Sequence, residues 1–279
     1  MVHSGELALT VVMPAKNAER TIKSAVRSAL LAMPANSELL VLLDDCTDST
    51  ARVLANIKDS RLRVLDPGGK FGITKARNVL LEEARGKFVG VLDSDDLALP
   101  WRFRIQMRQL ESGLDFVCGT AIVFGKTLRP VPILPQLPLE IPSAEMPYAL
   151  VLANPVVHST VMFRRSLAID LGGYPGTWPK EDYNLWLKFA LKGSLMARSW
   201  IPMSLYRFHP AQTTQSSART WDPSIQREID EARETLSKHL GFDGSIEELR
   251  KKTYSTIPLL KVEHFGLGGI NSRKVGKSA

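Results

Sequence analysis

Three aspartates fall within four residues directly after an apolar run, in the segment Val91-Leu-Asp93-Ser-Asp95-Asp96. Carboxylates this close together repel one another unless a cation lies among them, and burial at the end of an apolar stretch adds a desolvation penalty. Hard carboxylate oxygens are the ligands that Mg²⁺ and Mn²⁺ take, together with substrate phosphates. The segment therefore predicts a divalent-metal site, and the alternative is a solvated acidic turn before a helix that starts at Pro100.

A second acidic cluster, Asp44-Asp-Cys-Thr-Asp48, also follows an apolar run. An aspartate directly after a buried strand can accept hydrogen bonds from the ribose or base of a nucleotide. Asp48 and Ser49 precede a helical pattern and are residue types that commonly cap a helix N-terminus. We therefore reserve Asp45 for a ligand and assign the capping role to Asp48 and Ser49.

Two other polar groups indicate little when taken alone. Glu181 and Asp182 begin an amphipathic helical pattern, where acids ordinarily interact with the helix dipole. His209 is a single histidine, and such residues are more often packed or at the surface than bound to a ligand. The sequence contains no dinucleotide or Walker glycine loop, no Gly-x-Ser-x-Gly elbow and no aromatic spacing typical of nucleic-acid recognition.

The elements that must position these residues alternate between strand and helix over the first hundred residues. Short apolar runs predict strands at residues 7–13, 38–43, 62–64 and 87–92. Apolar residues at helical spacing predict helices at 22–33, around 53–57 and at 73–84. This order predicts a mostly parallel sheet flanked by helices, and ligands of such sheets bind beyond the carboxyl ends of the strands. We therefore expect residues 14–17, 44–48 and 93–96 to converge.

The second half of the chain has a less regular pattern. Helices are predicted at residues 100–112, 181–191, 223–240 and 245–252, and strands at 115–124, 158–163 and 194–200. Six prolines between residues 129 and 147 leave no helical or strand period there, which predicts a long, ordered loop. The stretch Gly172-Gly-Tyr-Pro-Gly176 predicts a flexible approach to the helix that starts at residue 181.

Composition and charge limit the class of protein. The net charge of +7 is spread along the chain rather than gathered into one stripe, which disfavours nucleic-acid binding. The two cysteines, Cys46 and Cys118, indicate neither a disulfide scaffold nor a zinc site. A polar N-terminus and the lack of an apolar run of about 18 residues predict a cytoplasmic protein. Any contact with the inner membrane face would be peripheral, through residues 129–147 or the basic C-terminal end.

Several segments occur in an order that resembles glycosyltransferase family 2, which comprises inverting enzymes of the GT-A fold. The similar segments are Val11-Val-Met-Pro14-Ala-Lys-Asn17, Leu43-Asp44-Asp45-Cys-Thr-Asp48, Ala76-Arg77-Asn78, Ala84 to Asp96, His158 to Arg165, Gly172-Gly-Tyr174, Glu181-Asp182-Tyr-Asn-Leu-Trp-Leu and Tyr206-Arg-Phe-His209. Each motif is weak by itself, but their order is specific and spans residues 7–215. Ala15-Lys16 and Cys46 depart from the usual family residues.

The resemblance implies an α/β, GT-A (Rossmann-like) domain at residues 1–215, with a mixed, mostly parallel sheet. Residues 1–100 would bind the nucleotide sugar, residues 101–215 would form the acceptor half, and residues 216–279 would add a helical extension with a basic tail. Asp182 is implied to be the catalytic base, with Glu181 as the competing candidate. Asp95 is implied to ligate Mn²⁺ or Mg²⁺ with His209 as a second ligand. The residues implied to bind the substrates are Pro14, Asn17, Asp45, Arg77, Asn78, Asp93 and Glu181.

The implied reaction is a metal-dependent, inverting transfer of a sugar from a nucleotide-diphosphate donor to an acceptor hydroxyl, in polysaccharide or glycoconjugate synthesis. A uridine, thymidine or guanosine donor is favoured, with a UDP-sugar first, because Asp45 can accept a hydrogen bond from the imino N–H of uracil, thymine or guanine. The acceptor is a carbohydrate or a lipid-linked molecule. One alternative is a sugar-phosphate nucleotidyltransferase, which normally has an early glycine-rich loop that this sequence lacks. The other is a non-catalytic nucleotide-sugar-binding protein, against which the intact Asp93, Asp95 and Asp182 argue.

Overall fold

A mixed sheet runs through the computed structural model, which describes residues 7–125, 133–134, 140–176, 180–208 and 223–242. Its strands are β1 Leu7–Ala15, β2 Ser37–Leu43, β3 Leu62–Leu65, β4 Gly86–Val91, β5 Leu97–Ala98, β6 Phe116–Gly125, β7 Ile133–Leu134, β8 Met162–Arg164 and β9 Met196–Phe208. The helices are α1 Ile22–Ala32, α2 Thr50–Ala55, α3 Ile73–Glu83, α4 Arg102–Glu111, α5 Met146–Leu152, α6 Arg165–Asp170, α7 Glu181–Leu191 and α8 Pro223–His239.

The N-terminal half of the sheet is parallel, as its strand–helix alternation predicts. β1 lies between β2 and β4 and is parallel to both, and β3 extends the sheet beyond β2. In this register Ala15 lies opposite Leu43, and Val12 lies opposite Val91. The segments that follow β1, β2 and β4 therefore begin at one edge of the sheet, where the sequence predicts that its polar clusters converge.

The second half extends the sheet in mixed directions, in the order β3-β2-β1-β4-β8-β6-β9-β5 with β7 beside β6. β8 is antiparallel to both β4 and β6, whereas β6 and β9 are parallel. β5 is antiparallel to β9, so the chain that leaves the acidic segment at residues 93–96 is attached to the last strand. The β4–β8 pairing brings residues of the two halves together around β4.

Helices cover both faces of the sheet, because β1 and β2 alternate apolar side chains between two cores. Val11 and Met13 belong to the core beneath α1 and α4, whereas Val12 belongs to the core beneath α3 and α7. The second core also includes Ile229 and Leu236 of α8, a helix that packs against α5 and α7. Helix α8 is therefore part of the main core.

Several sequence predictions need correction in the second half. Residues 158–163 are not one strand: a 3₁₀ turn spans His158–Thr160 and β8 follows it. The proline-rich segment 129–147 includes the short β7 and the start of α5, although 129–132 and 135–139 lie outside the described residues. The helix predicted at 245–252, the boundary at 215 and the basic tail also lie outside them. Among the described residues, no helix is long and apolar enough to cross a membrane.

Candidate active site

The loops that follow β1 and β2 are tied together at the carboxyl edge of the sheet. The side-chain Oδ1 of Asn17 accepts a hydrogen bond from the backbone N–H of Thr47 at 2.8 Å, and Asn17 itself has a positive φ of 48°. Asp48 accepts hydrogen bonds from the backbone N–H groups of Glu19 and Thr50, at 3.0 and 2.9 Å. Pro14 lies within β1, buried and opposite Leu42. These bonds fix the carboxyl edge of the sheet at β1 and β2.

The two aspartates after β2 have different environments. Asp44 is buried, and its carboxylate accepts hydrogen bonds from the backbone N–H groups of Phe71 and Gly72, at 2.6 and 3.1 Å, at the start of α3. Asp45 is exposed, and its backbone is in the left-handed region with φ of 53°. Its carboxylate has no hydrogen-bond partner among the described residues. Asp44 is therefore a structural cap, whereas Asp45 presents a free acceptor at the edge.

Asp93, which follows β4, is held from several sides. Its Oδ2 accepts a hydrogen bond from the Ser159 hydroxyl at 2.9 Å, and its Oδ1 lies 3.6 Å from Nη2 of Arg77 and 3.8 Å from Nδ1 of His158. Burial alone raises the pKa of Asp93, but hydrogen bonding and charge from His158, Arg77 and Ser159 outweigh burial and lower it below its usual range. Asp93 is therefore a fixed carboxylate that stays ionised.

Arg77 of α3 is the buried centre of this site. Its guanidinium forms a direct ion pair with Glu181, the first residue of α7, and also contacts Asp93 and Nδ1 of His158. Glu181 is 2% exposed, and burial raises its pKa while the Arg77 charge opposes that rise. One buried cation thus joins the acidic segment after β4 to the start of α7.

His158 lies between Arg77 and Tyr174. Its Nδ1 is 3.2 Å from Nη2 of Arg77, and its Nε2 is 3.2 Å from the hydroxyl of Tyr174. Trp186 of α7 packs beside both rings, with centroid distances of 6.0 Å to His158 and 6.2 Å to Tyr174. The wall behind Arg77 is therefore aromatic and rigid.

The remaining two carboxylates of the acidic segment differ in burial. Asp96 is 1% exposed; its Oδ1 accepts a hydrogen bond from the backbone N–H of Arg207 at 2.8 Å, while its Oδ2 has no hydrogen-bond partner among the described residues. Burial, followed by the charges of Asp95 and Asp93, raises the pKa of Asp96 well above its usual value. Asp95 is half-buried, and its backbone carbonyl accepts a hydrogen bond from Nε of Arg207 at 2.7 Å.

This donor set fits a hard divalent cation. Three carboxylates lie within four residues, and one buried oxygen of Asp96 lacks a partner that a cation, or a ligand of that cation, would supply. Arg102, buried behind the segment, does not fill that role: its Nη2 donates to the Val91 and Val161 carbonyls, at 2.6 and 3.2 Å. The described residues do not complete a protein cage of three or more ligating side chains. His209, the second ligand implied by the sequence, lies outside them.

The two acids at the start of α7 are clearly distinguished. Glu181 is buried and paired with Arg77, whereas Asp182 is half-buried and forms no ion pair with the described residues. The helix is anchored as the sequence predicts, since Leu185, Trp186 and Phe189 are all fully buried. Asp182 is therefore a carboxylate on a rigid support, next to the buried pair.

Asn78 of α3 is occupied by the backbone before α7. Its Oδ1 accepts a hydrogen bond from the N–H of Tyr174 at 2.8 Å, and its Nδ2 donates to the Tyr174 carbonyl at 2.9 Å. A Cβ atom at Gly173, whose φ is 69°, would lie 2.5 Å from the same Oδ1. The predicted flexible approach at Gly172–Gly176 is therefore wrong at its start, because the amide of Asn78 fixes this turn. The predicted contact of Asn78 with the donor stays a prediction.

Sequence reasoning gave no role to His158, Ser159 or Tyr174, although all three belong to motifs that it singled out. His158 and Ser159 contact Asp93 across a gap of more than sixty residues in the chain, and no local period signals such a pairing. The available signal was the acidic segment itself: a buried carboxylate needs donors, and polar residues in an otherwise apolar run, such as His158-Ser-Thr160, are candidates.

Comparison with known families gives a match over most of this architecture. The pattern of the family described as "Glycosyl transferase family 2" matches residues 10–172. A UDP-Glc:alpha-D-GlcNAc-diphosphoundecaprenol beta-1,3-glucosyltransferase of Escherichia coli, WfgD, is 31% identical over 195 residues, which cover 68% of this chain and 72% of the relative. A second E. coli enzyme of that description, WfaP, is 28% identical over 202 residues, covering 72% of this chain and 77% of the relative.

Comparison with solved structures identifies the fold. The crystal structure of S. aureus TarS residues 1–349 in complex with UDP-GlcNAc superposes with a TM-score of 0.66. The alignment covers 89% of this chain and 73% of that one, at 20% sequence identity. The mixed sheet with helices on both faces is thus the GT-A fold that the sequence predicts.

Proposed function

Because the chain belongs to glycosyl transferase family 2 and is a glycosyltransferase, we propose that it moves a sugar from a UDP-sugar to a hydroxyl of a carbohydrate acceptor, with inversion at the anomeric carbon. The observation that carries this proposal is the chain of ion pairs Asp93–Arg77–Glu181, which joins the carboxyl edge of the sheet to the start of α7. It brings candidate residues for binding the sugar donor close to the candidate catalytic base on α7.

The donor side of the proposal uses the edge formed by β1, β2 and β4. Asp45 has an exposed carboxylate without a partner among the described residues, and it accepts a hydrogen bond from the imino N–H of uracil, which adenine and cytosine lack. Asn17 and Pro14 border that base, and Asp93 lies on the ribose side. Relatives named for UDP-Glc, and a structural neighbour solved with UDP-GlcNAc, support a uridine donor.

The diphosphate side of the proposal uses the acidic segment. Asp95 and His209 would hold a Mn²⁺ or Mg²⁺ ion, which supplies charge neutralisation for a departing diphosphate. Asp93 is ionised and is held by Arg77 and Ser159, so it keeps the acidic segment 93–96, which includes Asp95, in place. Arg102 adds a buried positive charge behind Asp96, and burial lowers the pKa of this arginine to about 9.

The acceptor side of the proposal assigns Asp182 as the general base. Glu181 is unsuited to that role, because its carboxylate is 2% exposed and already bonded to the Arg77 guanidinium. Asp182 is half-buried and has no ion pair among the described residues, so it can accept the proton of an acceptor hydroxyl. The oxygen freed of that proton attacks the sugar carbon from the face opposite the leaving diphosphate, and a single displacement inverts the configuration.

In this proposal three residues hold other parts of the site in position: Arg77, Glu181 and Asn78. Arg77 binds Asp93 on the donor side and Glu181 on the acceptor side, so it fixes the separation between the ribose edge and the base. Asn78, one residue later on α3, holds the turn at Tyr174 that leads toward α7. Because small displacements of a base reduce rates strongly, these residues affect turnover without contacting the reacting atoms.

We also assign the acceptor to lipid-linked glycans, in polysaccharide or glycoconjugate synthesis. The E. coli relatives are named for an acceptor sugar on a polyprenyl diphosphate, which supports this class for the present chain. Residues 1–215 form the catalytic unit in this proposal, and residues 216–279 extend it, with α8 packed against α5 and α7.

A donor screen that follows nucleotide release tests the proposal. We expect UDP release from one UDP-sugar, dependent on Mn²⁺ or Mg²⁺ and accelerated by a polyprenyl-diphosphate sugar acceptor. Release of inorganic pyrophosphate from UTP and a sugar phosphate would instead show nucleotidyl transfer. Tight UDP-sugar binding without turnover on any acceptor would indicate a binding protein.

A further inference from the structure

The two helical faces of the molecule differ in charge. The exposed positions of α1 and α4, which cover one face of the sheet, carry four cations and one carboxylate. The cations are Lys23, Arg27, Arg104 and Arg108. On the opposite face, the exposed positions of α3, α6 and α8 carry six carboxylates and three cations. The two faces therefore differ mainly in their carboxylates, and the exposed positions of α1 and α4 have a net positive charge.

The same basic face presents large apolar side chains to solvent. Leu31 is 85% exposed on α1, four residues after Arg27, so it continues the exposed stripe of that helix. Trp101 immediately precedes α4 and is 38% exposed, with its indole N–H donating to the Pro202 carbonyl at 2.8 Å. Trp200, two residues before Pro202 on β9, is 58% exposed. Leu31 and Trp101 therefore lie within one helical turn of Arg27 and Arg104, respectively.

We propose that this α1–α4 face is a docking surface for an anionic lipid membrane. Cations in the plane of a helix layer match the negative headgroups of such a membrane. Exposed tryptophan and leucine beside them match the interfacial zone, where amphipathic aromatic rings are stable. A soluble polyanion would satisfy the arginines and lysines but would leave the Trp101, Trp200 and Leu31 side chains in water.

The position of the face relative to the site supports a role in reaching a membrane-bound acceptor. α1 begins soon after Asn17, and Trp101 follows the acidic segment 93–96 by five residues, so both helices begin at the carboxyl edge of the sheet. Docking through α1 and α4 therefore holds the site at the margin of the lipid surface. The lipid-linked acceptor rests on the proposed function, but vesicle binding is measured without donor or acceptor, so the two can fail separately.

Co-sedimentation of the full chain with vesicles tests the surface. We expect binding to vesicles of phosphatidylcholine with about one third phosphatidylglycerol at low salt, and no binding to pure phosphatidylcholine. Each surface cation contributes about five-fold in partitioning, so Arg104→Gln/Arg108→Gln and Lys23→Gln/Arg27→Gln should each weaken binding by about 30-fold. Arg227→Gln/Lys238→Gln, the same charge change on exposed positions of α8, should change it less than two-fold.

Tryptophan quenching by brominated lipid distinguishes a membrane from a polyanion. Quenching should accompany vesicle binding and should decrease in Trp200→Phe. The Trp200 ring is exposed, so this substitution leaves the core intact. Binding to soluble polyphosphate as tightly as to vesicles, with no quenching, would overturn the proposal in favour of an anionic polymer. No pelleting at low salt would also overturn it, as would binding that survives both helix variants and is lost in Arg273→Gln/Lys274→Gln.

Discussion

Replacing the two adjacent acids of α7 should separate catalysis from stability. Asp182→Asn keeps the shape of a half-buried side chain that has no ion pair among the described residues, so its effect falls on the reaction. Loss of a general base lowers turnover by about 10²–10⁴-fold. Because Asp182 contributes no buried pair, we expect the melting temperature of Asp182→Asn to stay within a few degrees of the parent.

Glu181→Gln should instead lower stability more strongly than turnover. Glu181 is 2% exposed and bonded to Arg77, and removal of one partner from a buried ion pair costs about 3–5 kcal/mol, because the remaining charge is uncompensated. Arg77 keeps Asp93, at 3.6 Å, as a partial counter-charge, so we take the lower end, about 3 kcal/mol. For a domain of this size that corresponds to a decrease of about 6–12 °C in melting temperature.

Steady-state kinetics and calorimetry of both variants provide the assay, with the donor dissociation constant as a control for site integrity. Turnover of the folded Glu181→Gln protein should decrease less than that of Asp182→Asn, and donor affinity should be retained in Asp182→Asn. Near-normal turnover in Asp182→Asn, together with a loss of more than 10²-fold in Glu181→Gln below its melting temperature, would refute the assignment and exchange the two roles.

Three further perturbations test separate parts of the site. Chelation with EDTA should abolish donor turnover, and Mn²⁺ or Mg²⁺ should restore it; full activity in chelator would remove the metal from the mechanism. Calorimetry should show UDP binding more tightly than ADP, and Asp45→Ala should reduce that preference; equal binding of UDP and ADP by the parent would contradict the role of Asp45. Asn78→Ala, which removes two hydrogen bonds to Tyr174, should lower the melting temperature and kcat while leaving the donor dissociation constant within about three-fold. A large loss of donor affinity in that variant, with unchanged stability, would instead place Asn78 on the donor.

The local sequence pattern was sufficient to predict β1, β2 and β4, the strands that form the edge proposed to bind the donor. The apolar runs at β1, β2 and β4 are buried on both sides, so they produce continuous signals that end where Asn17, Asp45 and Asp93 begin. The parallel arrangement follows from the intervening helices. Convergence of the polar segments could therefore be predicted without any knowledge of tertiary contacts.

The second half has weaker local signals, for identifiable reasons. Pro147 interrupts the apolar pattern, but it is the second residue of α5. A proline is compatible with that position, because the backbone N–H groups of the first helical turn form no hydrogen bonds within the helix. The run at 158–163 has a strand-like composition, but the Thr160 hydroxyl bonds the Val157 carbonyl at 2.7 Å and stabilises a 3₁₀ turn. In both places side-chain and backbone bonding overrides the apolar period.

The buried centre of the site depends on contacts that no local pattern encodes. Arg77 and Glu181 lie on helices of different halves, and each sequence context is that of an ordinary amphipathic helix. Their pairing follows only from the β4–β8 contact, which brings α3 and α7 over one core. Asn78 was therefore expected at the donor and Glu181 at a substrate, whereas their observed side-chain bonds are to other residues of the protein.

The stereochemistry of the product tests the central claim most directly. The account predicts that an α-linked UDP-sugar, incubated with Mn²⁺ and a polyprenyl-diphosphate sugar acceptor, gives one UDP per glycosidic bond and a β-linked product in the anomeric region of a proton NMR spectrum. An α-linked product, or sugar transfer without release of UDP, would contradict a single displacement assisted by Asp182.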